Sequence, residues 1–359
     1  MTEVQDIRFE VTGPIGVVTL DRPKALNALN LPMIRAFDPV LAQWERDPAV
    51  RAVVVQGAGD RAFCAGGDVR AVWDDGKAMK AGQGGGALTR DFFREEYRLN
   101  RRIHRFAKPY VALLDGITMG GGVGLSVHGS HRVTTERTLF AMPETGIGLF
   151  PDVGGSWFLP RCPGRTGTYV ALTGTRLHAA DIRYLGVGTH HVPSERLAAV
   201  VDDLAAADWS GDAGGIVDAV LGRHAGDAGE PTLAAQRAAI DRCFGFDTVE
   251  EILSALEREG TDWANATLTV LSQMSPTSLK VTLRQIRTGA GLDFDDAMRM
   301  EYRLSQACMR GHDFYEGIRA LLVDKDRSPK WRPASLRDVG EADVEEHFAP
   351  LGSNELTFV

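Results

Sequence analysis

Residues 108–129 read KPYVALLDGITMGGGVGLSVHG. Tyr110 to Leu114 is an apolar, strand-favouring run between Pro109 and the pair Asp115-Gly116, and it predicts a buried strand. Beyond it stand Gly120, Gly121 and Gly122, followed by a segment of helical character. Consecutive glycines between a strand and a helix leave backbone N–H groups unobstructed and open conformations closed to other residues. Two readings stay open on these residues alone: a turn that binds an anionic oxygen, or a close approach of helix to strand. The dinucleotide-binding pattern GxGxxG fails, because Gly120 and Gly122 require glycine at Leu125, and Gly122 and Gly124 require it at Val127. A P-loop fails as well, since no Gly-Lys-Ser/Thr follows.

Working outward, RFEVTGPIGVVTLDRP predicts two short strands about the turn Thr12-Gly13-Pro14. Asn30 then precedes a helical pattern in Leu31, Ile34, Leu41 and Trp44, for which it is a suitable N-cap. AVRAVVVQG is a second buried strand, leading into the loop GAGDRAFCAGGDV. Residues 76–87 are glycine-rich and expected to be mobile; TRDFFREEYRLNRRIHRF is a long amphipathic helix, with Phe92, Phe93 and Tyr97 expected in the core. Short strands recur at RVTTE and TLFAM. From Ser194 the chain turns Ala-rich, charged and helical. Strand, loop and helix in this rhythm predict an α/β core over 1–192 and a helical region over 193–359.

The chain has 359 residues, 44% hydrophobic and 25% charged, enough for a large core. Its net charge of −8 argues against general nucleic-acid binding. No apolar run reaches the roughly 20 residues of a membrane span, and the N-terminus lacks the basic and apolar regions of a secretory leader, so a cytoplasmic location is expected. Cys64, Cys162, Cys243 and Cys308 show neither CxxC pairing nor histidines at metal spacing, so free thiols and no metal are expected.

Two carboxylates stand out. FAMPETGIGLFPDVGG, residues 140–155, carries Glu144 and Asp152 among apolar residues, prolines and glycines. An apolar setting raises a carboxyl pKa toward the range useful for proton transfer. The plainer alternative has Glu144 capping a turn and Asp152 capping a helix near Val153. CAGGD at 64–68 and MGGGVG at 119–124 share the glycine habit, and together the three segments suit an oxyanion hole served by carboxylates. Ser126 is not a nucleophile elbow, because His128 stands where G-x-S-x-G needs glycine. His104, His128 and His190-His191 read as ordinary polar or core residues.

With LDRPKALNAL, AFCAGGDV, MGGGVGL and PETGIGLFPDVGG in this order, residues 8–192 resemble the crotonase, or enoyl-CoA hydratase/isomerase, superfamily. MPETGIGLFPDVGGSWFLPR, FFREEYRLN, SPTSLKVTLRQIR and EYRLSQ extend the likeness over nearly the whole chain, to its 3-hydroxyisobutyryl-CoA hydrolase subgroup. The resemblance implies a ββα spiral core followed by helices, with an insertion at about 205–270 and C-terminal helices at about 271–359. It implies oxyanion donors at the N–H groups of Gly67 and Gly121, catalytic carboxylates at Glu144 and Asp152, and a substrate contact at Glu96. Lys24, Ala28 and Ala65 fall where the family lines coenzyme A, with Asp68 and Val69 shaping that side. For Glu96 the residues also allow a surface glutamate paired with Arg101 or Lys80. The implied reaction is hydrolysis of a short branched 3-hydroxyacyl-CoA in valine breakdown, with no cofactor beyond the coenzyme A of the substrate, in a homo-oligomer. A hydratase carries a glutamate two residues after the glycine triplet; here that position is Gly124. Hydratase or isomerase activity, or a non-catalytic acyl-CoA-binding subunit, are the alternatives.

Overall fold

The computed structural model describes residues 6–358. Nine strands are present among them: β1 (Ile7–Thr12), β2 (Ile15–Leu20), β3 (Ala52–Gly57), β4 (Ala62–Cys64), β5 (Tyr110–Leu114), β6 (Ile117–Met119), β7 (His131–Thr134), β8 (Leu139–Ala141) and β9 (His190–His191). They form a six-stranded sheet ordered β1-β2-β3-β5-β7-β9 and a three-stranded sheet ordered β4-β6-β8. The first two strands are an antiparallel hairpin; from β2 onward the large sheet is parallel. Each of β3, β5 and β7 is followed after a short turn by a strand of the small sheet, so the chain advances as a spiral of strand, strand and helix. That is the α/β core expected from the sequence, and the helical character beyond Ser194 is also observed.

Two compact units interleave along the chain, so neither coincides with 1–192 or 193–359. The first comprises Met1–Gly67, Arg98–Phe140 and Arg176–Thr232; the second comprises Asp68–Tyr97, Ala141–Thr175 and Leu233–Val359. In the first unit Ile15, Val17, Ala52, Val54, Val111, Leu113 and Val133 alternate along their strands and so share one face. Val200, Leu204, Val217, Val220 and Leu221, from helices Leu197–Ala206 and Ala213–Arg223, cover it. Helix Leu31–Arg46 starts at Asn30, whose side chain accepts the Met33 N–H at 2.9 Å, as expected of the N-cap.

The second unit is mainly helical. Helices Pro276–Gly289 and Phe294–Arg310 supply many of its buried side chains. Residues 76–87, expected to be mobile, include the end of a helix. Gly76 to Lys80 complete helix Val69–Lys80, and Asp75 Oδ2 accepts the N–H groups of Gly86 (2.8 Å) and Thr89 (3.1 Å), fixing the turn from a helix already formed. Among the described residues no helix is long and apolar enough to cross a membrane.

Candidate active site

The first unit brings the two glycine loops together. Leu29 N–H donates to Gly66 O at 2.8 Å and Ala65 N–H to Leu26 O at 3.0 Å, so the segments holding Ala28 and Ala65 run side by side. Gly67 pairs with Leu29 in a parallel bridge. The second loop reaches the same place: a Cβ on Gly122 would stand 2.2 Å from Cys64 O. Close helix-to-strand packing, one of the two readings of the glycine triplet, is therefore the reason for Gly122. Gly121 has a different position, opening the short helix Gly121–Gly124, where the first N–H groups lack intrahelical acceptors. Lys24 is exposed in the turn Pro23–Ala25, and Ala28, Ala65 and Gly67 are half-buried.

The second unit brings the carboxylates together. Glu96, Glu144 and Asp152 are 2, 4 and 5% exposed. Glu144 opens the turn Glu144–Ile147, and its Oε2 has no hydrogen-bond partner. Asp152 does not cap the helix after it: Gly154 holds that position without a side-chain bond, and Asp152 Oδ2 accepts the Tyr97 hydroxyl at 2.9 Å. Glu96, one residue before Tyr97, is buried with Oε1 unpartnered, which excludes the surface-glutamate alternative. Asp68 is the N-cap of helix Val69–Lys80, accepting Ala71 N–H at 3.2 Å, and Val69 is half-buried at its start.

Burial dominates the electrostatics. It pushes the Glu144 carboxyl well above the usual range, and the neighbouring charges of Asp152 and Glu301 add to the effect. Glu96 is raised in the same way by burial and then by Asp152, Glu301 and Glu144. Asp152 rises to about 7, burial being partly offset by the Tyr97 hydrogen bond. Like charges gathered out of water cannot all ionise together, so this cluster holds protons near neutral pH. Such groups can both give and take a proton.

Two participants were not legible beforehand. Tyr97 is in the core as expected, yet its hydroxyl is spent on Asp152. Glu301 lies beside the cluster on helix Phe294–Arg310, where it shares the buried face with Ala297, Met298, Leu304 and Cys308. A charged residue at a core register of an amphipathic helix was the available signal. The remaining polar candidates are structural: Ser126 Oγ donates to Gly122 O and Val123 O, at 2.9 and 3.1 Å, and the His104 and His128 rings meet edge to face. All four cysteines are buried free thiols. Among the described residues no three His, Cys, Asp or Glu side chains are grouped to hold a metal ion.

The family model described as enoyl-CoA hydratase/isomerase matches residues 15–348. A mitochondrial 3-hydroxyisobutyryl-CoA hydrolase from Rattus norvegicus is 50% identical, over 99% of this chain and 92% of its own. The solved structure of a carnitinyl-CoA dehydratase from Mycobacterium thermoresistibile matches with a TM-score of 0.91 and 44% identity, over 99% of both chains. That of an enoyl-CoA hydratase from Rhodobacter sphaeroides matches at 0.89 and 39% identity, over 98% of this chain and 100% of the other. Spiral sheet, paired glycine loops, buried carboxylates and full-length identity converge: the chain belongs to the crotonase, or enoyl-CoA hydratase/isomerase, family, on the side of its 3-hydroxyisobutyryl-CoA hydrolases.

Proposed function

We propose that the protein hydrolyses the thioester of a short branched 3-hydroxyacyl-CoA, 3-hydroxyisobutyryl-CoA, releasing 3-hydroxyisobutyrate and coenzyme A, a step of valine breakdown. The observation that carries this reading is the buried pair Glu144 and Asp152, one with an unpartnered oxygen and the other poised at about 7. Its support is a chain half identical, along its length, to an enzyme of that name.

In this mechanism the thioester carbonyl oxygen accepts hydrogen bonds from the Gly67 and Gly121 N–H groups, each such donor contributing about 3 kcal/mol at the transition state. The two carboxyls share a proton; with it transferred to Asp152, Glu144 attacks the carbonyl carbon as the carboxylate, the C–S bond breaks, and Asp152 gives its proton to the departing sulfur. Water then cleaves the resulting anhydride; one of its protons returns to Asp152 and the other leaves with the acid. Glu96 binds the 3-hydroxyl of the substrate. Lys24, Ala28 and Ala65 contact coenzyme A, with Asp68 and Val69 shaping that side. No cofactor is required beyond the coenzyme A of the substrate, an expectation that full activity after dialysis against a chelator would support.

Thiol release from 3-hydroxyisobutyryl-CoA, followed with a thiol reagent, tests the reading, with hydration of crotonyl-CoA measured in parallel. The second reaction is included because solved structures of high similarity carry hydratase and dehydratase names. Gly124, at the position of a hydratase glutamate, argues for thiol release with little hydration. Glu144→Gln is expected to lower kcat about 10³-fold while coenzyme A binding persists; unchanged turnover would remove Glu144 from the mechanism. Glu144 has a second route, activating water for direct hydrolysis without an anhydride; trapping of an acylated Glu144 by hydroxylamine would separate the two.

Assembly as a homo-oligomer is part of the proposal, resting on the family likeness and measurable by light scattering. The named relative is mitochondrial, which runs against the cytoplasmic expectation. The cytoplasmic placement therefore stands only as a proposal, to be tested by cell fractionation.

A further inference from the structure

Glu301 takes no part in the reaction as set out above, although it is fully buried within the second unit. A carboxylate out of water is costly unless its oxygens are satisfied. Here both are satisfied by backbone. Oε2 accepts the Gly154 N–H and Oε1 the Ser156 N–H, each at 2.8 Å. Both donors belong to the turn that begins at Asp152. Within it Val153 has φ +50° and Gly154 φ +89°. A β-branched residue rarely occupies the left-handed region, and it stays there only when its surroundings over-determine it. Gln285 Nε2 adds to that constraint, donating to Pro151 O at 2.6 Å and to Ser156 Oγ at 2.8 Å. The turn is thus gripped on both sides of Val153, and Asp152 Oδ2 is left facing the Tyr97 hydroxyl.

We propose that Glu301 is a positioning residue for the hydrolysis: its carboxylate clamps the Gly154 and Ser156 N–H groups, holds the left-handed Val153-Gly154 turn, and so aims Asp152. The inference rests on the role given to Asp152 above. The clamp also carries charge. The ionisable groups facing Glu301 are Asp152, Glu96, Glu144 and Tyr97, and its negative charge raises the proton affinity of the last three. Glu301 itself is pushed up to about 8 by burial, against the pull of its two N–H donors.

Two variants separate positioning from plain packing. Glu301→Gln keeps the volume but loses the charge and sets an amide N–H₂ against one backbone donor. Glu301→Asp keeps both acceptors on a shorter arm. Thiol release is measured across the pH range, together with hydrogen exchange in a peptide spanning residues 152–158. For Glu301→Gln the expected result is a kcat lowered about 10²-fold with KM nearly unchanged, and faster exchange in that peptide. The rate gap between Glu301→Gln and wild type should also widen as pH rises through about 8, where wild-type Glu301 becomes the carboxylate, a change that packing alone would not cause. Glu301→Asp should recover about tenfold of the lost rate; if Glu301→Gln does not fold, Glu301→Asp with loosened exchange and a lower kcat carries the test. An unaltered kcat, unaltered exchange, or an Asp variant no better than Gln would each overturn the clamp. Wild-type protein that released no thiol would sink the hydrolase reading instead, and the exchange measurement would then decide for or against the clamp by itself.

Discussion

Glu96 and Glu144 each keep one buried carboxylate oxygen without a hydrogen-bond partner, an arrangement that folding alone does not favour. In the proposed mechanism these two oxygens are the ones that meet the substrate. Asp152 differs, because Tyr97 already occupies one of its oxygens and holds its pKa below what burial alone would give. Tyr97→Phe removes that donor, so the Asp152 pKa should rise above about 7. The limb of the pH–rate profile that reports Asp152 is then expected to shift to higher pH. A limb that stays in place would show that Asp152 does not set it. Glu144 and Asp152 were legible as candidates because carboxylates among apolar residues and turns are conspicuous. The tyrosine was legible only as an apolar ring at helical spacing, since its hydroxyl partner lies 55 residues on.

Among elements, the junction of β4 with the helix Gly121–Gly124 shows how tightly the glycine triplet is used. Gly122→Ala would drive a methyl group to 2.2 Å from the Cys64 carbonyl oxygen, and backbone cannot yield as a side chain can. A loss of about 1–3 kcal/mol in denaturant unfolding is expected, from overpacking. Little or no loss would mean that the loop relaxes freely, and the rigid placement of the neighbouring Gly121 N–H would lose its basis. The sequence left two readings of the triplet, binding turn and packing. The structure gives the packing reading to Gly122 and sets Gly121 at the start of the short helix, where the proposed mechanism uses its N–H. Only the backbone path of a different strand, 58 residues earlier at Cys64, makes that packing visible.

At the scale of the molecule, stability and chemistry are linked through the carboxyl cluster. A carboxyl whose folded pKa is raised gives its full stability below the unfolded value, about 4, and loses it as pH rises through the folded value. For Asp152 the window runs from about 4 to about 7, and for Glu301 to about 8. Asp152→Asn removes a charge that the wild type must bury, so its Tm relative to wild type should climb across that window, as calorimetry would register. A constant difference in Tm would mean that the Asp152 pKa is not raised by folding.

Local pattern settled a good deal without any structure: apolar runs set the strands of an α/β core and Asn30 started a helix, while the spiral arrangement was implied only by the family resemblance. The strands and that helix start are consequences of neighbours along the chain, for which a short window suffices. The tertiary structure alone decided that Glu96, Glu144, Asp152 and Glu301 share one buried cluster, and that the compact units interleave. Proton affinity depends on exclusion of water and on charges brought in from distant segments, and neither has a local signature in sequence.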